Sequence, residues 1–167
     1  MTWLDRPLPT DATLVAVVGP GDATDEIYAL ARAVGRDLAE RGFVVVTGGL
    51  GGVMEAAARG AVDADGRAVG ILPGTDTAQA NPYLTTALPT GLGEYRNALV
   101  VRDAVAVVVV GGSWGTLSEL ALAVRTGKPV AVLRGWTVRD QAGRAVEGVT
   151  EFDTPAEAVG WIAERVG

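Results

Sequence analysis

The chain has 167 residues, 49% of them apolar, a net charge of −6, and neither cysteine nor histidine. That length and apolar share fit one domain with one core and argue against disorder. The missing residue types exclude Cys/His metal centres, thiol nucleophiles and imidazole bases, so no metal site is expected. An acidic balance without a Lys/Arg block also argues against nucleic acid as a partner.

No apolar stretch is long enough to span a membrane, and no membrane partner is expected. Met1 to Thr10 carries Asp5 and Arg6 and lacks an apolar signal core, which makes the cytoplasm the expected compartment. The single lysine, Lys128, stands in Thr-Gly-Lys-Pro as a turn residue before a strand. A pyridoxal enzyme, which needs a Schiff-base lysine, is therefore disfavoured.

Leu14 to Val18 reads as an apolar strand ending in Gly19-Pro20-Gly21. A helix follows from about Thr24 to Arg41, with Ile27, Leu30, Val34 and Leu38 on one face and Gly42 as its stop. Phe43 to Val46 is the second strand, and Thr47-Gly48-Gly49-Leu50-Gly51-Gly52 turns into a helix reaching Val62. Arg67 to Leu72 is the third strand. Residues 73–93 form a long connection broken by Pro73, Gly74, Asn81, Pro82, Pro89 and Gly91, with a short strand at Leu84–Leu88. Connections of that length inside a compact domain are usually functional.

Glu94 to Asp103 reads as a helix carrying Arg96 and Arg102. Ala104 to Val110 is an unbroken apolar run, the pattern of a strand buried on both faces. Gly111-Gly112-Ser113-Trp114-Gly115 then turns into a helix that Thr116 opens and Thr126 closes. Val130 to Leu133 is a further strand, and residues 134–150 are polar and suggest a hairpin. Thr154-Pro155-Ala156-Glu157 is a capped helix start, and that helix runs to about Val166.

Strands that alternate with helices imply an α/β fold: a single doubly wound, Rossmann-like domain over residues 1–167 with a mainly parallel sheet. Such sheets bind ligands at the carboxyl ends of their strands. All three glycine-rich turns fall there, and their backbone amides can approach an anion closely. The candidate phosphate or ligand contacts are Gly19, Gly21, Gly48, Gly49, Gly51, Gly111, Gly112, Ser113, Trp114, Gly115 and Thr116. Neither of the first two turns fits the dinucleotide fingerprint, and no Walker lysine follows a glycine-rich loop, so NAD and ATP are not favoured.

With these residues in hand, the chain resembles the LOG family of Rossmann-like proteins, often mislabelled as lysine decarboxylases. Within it, the chain resembles the branch that includes molybdenum-cofactor carrier proteins. The family signature Pro-Gly-Gly-x-Gly-Thr-x-x-Glu stands here as Gly111-Gly112-Ser113-Trp114-Gly115-Thr116-Leu117-Ser118-Glu119. The upstream turn stands as Gly48-Gly49-Leu50-Gly51-Gly52-Val53-Met54, and Arg96 matches the family's catalytic arginine. The resemblance implies a nucleoside 5′-monophosphate phosphoribohydrolase, with Arg96 and Glu119 as catalytic residues and no cofactor. The alternative it implies is a binding or carrier protein for a phosphorylated pterin such as the molybdenum cofactor. Gly111 in place of the signature proline, Ser113 in place of a glycine, and Asn97 in place of a lysine lean toward that alternative. LOG-like proteins are commonly homo-oligomers, so a homodimer or larger assembly is expected.

Several residues carry two readings. Glu119 either supports attack at the anomeric carbon or closes a capping box with Thr116. Trp114 either stacks on a base or pterin or packs on a second subunit. Glu55 leans toward a favourable dipole contact in the second helix. Tyr83, Asn81 and Glu94 shape the pocket wall, and Trp161 belongs to the core or an interface.

Overall fold

Short β-branched runs decide the architecture. In the structure, a computed structural model, residues 11–167 are described; the expectation for Met1–Thr10 lies outside them. The strands are β1 (Leu14–Val18), β2 (Val44–Thr47), β3 (Ala68–Leu72), β4 (Thr86–Pro89), β5 (Ala106–Val110), β6 (Val130–Leu133) and β7 (Val149–Glu151). They form one sheet in the order β4-β3-β2-β1-β5-β6-β7, and every pairing is parallel. Every residue of β5 is buried, because helices cover both faces of the sheet.

Alternate residues of the central strands feed two cores. Val15, Val17, Val108 and Val110 pack with α1 (Asp25–Glu40), α2 (Val53–Asp63) and α5 (Pro155–Val166) on one face. Ala16, Val18, Val107 and Val109 pack with α3 (Asn97–Arg102) and α4 (Trp114–Arg125) on the other. This is the doubly wound arrangement expected from the alternation. α1 and α2 approach until glycine is required between them: a Cβ on Gly35 would stand 2.0 Å from the Ala57 carbonyl oxygen. No helix among the described residues is long and apolar enough to cross a membrane.

The strand order reverses between β1 and β5, which opens a crevice at their carboxyl ends. The glycine-rich turns after β1, β2 and β5 meet there. Gly19 is needed for that closeness, since a Cβ would fall 2.2 Å from the Val110 carbonyl oxygen.

Four elements differ from the sequence expectation. α4 begins at Trp114, not Thr116, because Ser113 supplies the cap: its hydroxyl accepts from the Thr116 amide. The stretch expected as one helix from Glu94 is a 3₁₀ turn, Gly93–Arg96, that runs into α3. The short strand of the long connection lies at Thr86–Pro89, two residues later at its start than expected. Residues 134–150 hold an antiparallel bridge between Arg139 and Ala145, but Val149 already belongs to β7, which pairs with β6. A three-residue edge strand leaves too little periodicity to read.

Candidate functional site

The cap of α4 is fixed from several directions. The Ser113 hydroxyl sits 2.8 Å from the Thr116 hydroxyl as well as accepting from the Thr116 amide at 3.2 Å. The Ser113 carbonyl accepts from the Leu117 amide and from the Trp136 indole N–H, both at 3.0 Å. Thr116 is therefore buried, 1% exposed, and its polar groups hold the turn together. The first amides of α4, ahead of Thr116, have no partner within the helix, and the positive end of the helix dipole there favours an anion.

Arg96 closes the 3₁₀ turn and points inward. It is 8% exposed, with Nη2 donating to the Gly48 carbonyl at 3.2 Å and Nη1 donating to Asn97 Oδ1. Its Nε is buried without a partner among the described residues. An unsatisfied buried donor costs about 1–3 kcal/mol, and this one belongs to a side chain that lines the cleft described below. Burial lowers the Arg96 pKa, and the Glu119 charge works against that shift.

Glu119 lies in the second turn of α4, 7% exposed. With Ser113 as cap and Trp114 as first helical residue, Glu119 is out of reach of a capping role, and the capping-box reading is corrected. Thr154 and Glu157 at the start of α5 do form such a box. Burial pushes the Glu119 carboxyl up to about 7, against the opposing pull of Arg96.

A cleft of about 590 Å³ opens beside these groups, lined by Leu50, Tyr95, Arg96, Asn97, Trp114 and Gly115 among others. Its walls combine exposed aromatics, Trp114 at 77% and Tyr95 at 86%, with the polar chain Asn97 Nδ2 to Ser118 Oγ to the Gly115 carbonyl. Glu94 also lines it. This composition suits a flat ring carrying an anionic group.

The candidate glycines divide by position. Gly115 lines the cleft, and Gly48 presents its carbonyl to Arg96. Gly21 and Gly51 sit on neighbouring loops, a Cβ on Gly51 lying 3.4 Å from the Gly21 carbonyl oxygen. Gly19 and Gly111 are packing positions, Gly111 beneath Pro20 and Ile27. Gly49 packs on Leu72 and Gly70, and Gly112 is backed by Trp136.

Asn81 braces the second turn, its amide donating to the Gly49 and Leu50 carbonyls. Tyr83 stacks under Arg59. Glu55 accepts from the Tyr28 hydroxyl at 2.9 Å and so ties α2 to α1. Trp161 packs on Phe152 and under Arg165, within the α5 layer. Lys128 donates to the Arg102 and Ala104 carbonyls behind α3, far from any cofactor role. Trp136 was not among the expected residues. Its position three residues past a strand's carboxyl end, on the ligand side of such sheets, is the signal that could have found it.

Comparison with known proteins agrees with this geometry. The model of the SLOG cluster4 family matches residues 12–159. A protein of Archaeoglobus fulgidus is 40% identical over 147 residues, covering 88% of this chain and 92% of that protein. The structure of the molybdenum cofactor binding protein from Rippkaea orientalis superposes with a TM-score of 0.86 at 32% identity, covering 95% of this chain and 100% of that one. The molybdenum cofactor carrier protein of Chlamydomonas reinhardtii does so at 0.82 and 28%, covering 92% and 97%. These neighbours bear out the likeness to LOG-type proteins in the branch with molybdenum-cofactor carriers. The chain belongs to the SLOG cluster4 family.

Proposed function

We propose that the chain is a binding or carrier protein for a phosphorylated pterin of the molybdenum-cofactor class, which it holds without turnover. The observation that carries this reading is the cleft itself, which the Arg96 guanidinium lines together with exposed Trp114 and Tyr95. Arg96 keeps donors beyond those it gives to Gly48 and Asn97. An aromatic wall beside a guanidinium suits a flat ring that carries a phosphate. The phosphate would rest on the first amides of α4, with the Arg96 guanidinium as a further donor. The ring would lie against Trp114. The likeness to the Rippkaea and Chlamydomonas proteins supports the same reading.

A second reading, the nucleoside 5′-monophosphate phosphoribohydrolase, draws support from the electrostatic coupling of Arg96 with Glu119. There the ionised Glu119 would stabilise positive charge at the anomeric carbon while Arg96 helps bind phosphate. A homodimer or larger assembly belongs to both readings, formed through the apolar face that carries Leu88, Leu92, Tyr95 and Leu99.

The test incubates purified protein with the molybdenum cofactor and, separately, with AMP, followed by chromatography of bound pterin and free base. Stoichiometric pterin with no base release supports the carrier. Base release by the wild type that Glu119→Gln abolishes, with AMP affinity retained, supports the hydrolase and overturns the carrier.

A further inference from the structure

Trp136 stands on the connection between β6 and β7, outside every motif the sequence offered, yet it touches the ligand turn at three points. Its indole N–H donates to the Ser113 carbonyl at 3.0 Å. Its ring lies against Gly112, where a Cβ would come within 3.1 Å of Nε1. Its ring centroid is 5.2 Å from that of Trp114, with the planes tilted by 38°. The connection is itself seated tightly here, since a Cβ on Gly135 would stand 2.7 Å from the Gly111 carbonyl oxygen.

We infer that Trp136 is the positioning residue of the ligand site: it holds the α4 cap in register and fixes Trp114 over the cleft. The inference rests on the reading that this cleft takes a phosphorylated ring ligand. Trp114 is 77% exposed and stands at the first position of α4, where a free rotamer search would dilute any stacking geometry. An indole packed behind it removes that freedom before the ligand arrives. Ser113 is the hinge of the arrangement. Its carbonyl takes one bond from inside the helix and one from Trp136, so the peptide just ahead of the first α4 amides is held from two sides. Gly112 gives the indole room at the turn, and a Cβ there would press on it by a few tenths of an ångström.

The test compares Trp136→Phe and Trp136→Leu with wild type by two readouts. The first needs no ligand: the exciton couplet of the Trp114–Trp136 pair in circular dichroism, and the quenching of tryptophan fluorescence by acrylamide. Wild type is expected to show the couplet; with Trp3 and Trp161 replaced by Phe in every background, Trp114 is the one indole left in the variants, and its quenching is expected to rise more in the Leu variant than in the Phe variant. The second is equilibrium binding of the molybdenum cofactor, and of AMP, to proteins whose thermal unfolding is cooperative. Loss of the indole N–H in the Phe variant should weaken binding by about tenfold, and Leu by more, because one hydrogen bond and one ring contact go in turn. Partial rescue by Phe relative to Leu separates positioning from mere folding.

Unchanged affinity in the Leu variant, or unchanged Trp114 quenching, would overturn the inference. If wild type binds neither probe, the proposed function fails, and the quenching and couplet arm still decides whether Trp136 fixes Trp114.

Discussion

Glu119 and Arg96 share a charge interaction across the seam between α3 and α4, yet no hydrogen bond joins them among the described residues. Both are more than nine-tenths buried. Arg96 spends its two terminal nitrogens on Gly48 and Asn97. The pair is thus held together by the fold, not by mutual pairing, and each keeps unused polar capacity for a ligand.

This arrangement makes stability depend on pH. Burial holds the Glu119 carboxyl at about 7, above its ordinary 4.5, so the folded chain keeps a proton that the unfolded chain releases. The contribution is fully present below the unfolded value and is lost as pH rises through about 7. Its size is on the order of 3 kcal/mol at most. The unfolding temperature of the wild type should drop as pH rises from about 4.5 to about 7, whereas Glu119→Gln should flatten that slope. A wild-type slope that persists in the variant would assign the proton elsewhere.

Gly→Ala changes at Gly35, in the α1–α2 contact, and at Gly160, in α5, are expected to have opposite signs. At Gly35 a methyl group meets the Ala57 carbonyl oxygen at 2.0 Å, so α2 must shift. The expected loss is about 2–3 kcal/mol, which outweighs the ~1 kcal/mol that alanine adds to a helix. Gly160 in α5 has only Arg41 Nη2 nearby, at 4.0 Å. There the same change should stabilise by about 0.5–1 kcal/mol. Urea midpoints at constant slope are the measurement.

Ser113 takes a glycine's place in the family signature and acts as a helix cap. Ser113→Ala should cost about 1 kcal/mol, and Ser113→Gly only a few tenths, because glycine suits the cap backbone without supplying the hydroxyl. Chemical denaturation of both variants distinguishes them. Equal stability of the Ala variant and wild type would mean the hydroxyl contact contributes nothing.

Several exposed apolar residues lie close along the chain, ahead of α3 and on it. Tyr95 and Leu99 lie one helical turn apart, with Leu88 and Leu92 preceding them and Trp114 at the cleft edge. Leu99→Asp should shift the molecule to a smaller species in sedimentation velocity without loss of helical content. A monomeric wild type would remove the assembly from the proposal.

Most of the strands and long helices were legible, because each rests on a local pattern. The run from Ala104 to Val110 announced a strand covered on both faces, which forms at Ala106–Val110, and the helical spacing of Val34 and Leu38 announced the buried side of α1. Gly42 ended that helix as expected, at φ +83°. The helix start at Ser113 was missed because Thr116 with Glu119 imitates a capping box. A local pattern could not say which hydroxyl the turn would aim at the amides. β7 escaped for a different reason, since three residues acquire a role only when β6 lies beside them.

What the sequence determined alone was the α/β class, the parallel sheet and the clustering of glycine-rich turns at the strand ends. These follow from periodicity and turn chemistry, which act over a few residues, while the resemblance to the LOG family added Arg96 and Glu119 as residues to watch. Only the tertiary structure decided that Gly19 and Gly111 serve packing, that Arg96 keeps one orphaned donor, that Glu119 is raised by burial, and that Trp136 backs the ligand turn. Those properties depend on what stands within a few ångströms across chain separations of many residues. Neither desolvation nor a close approach can be read from neighbours along the chain.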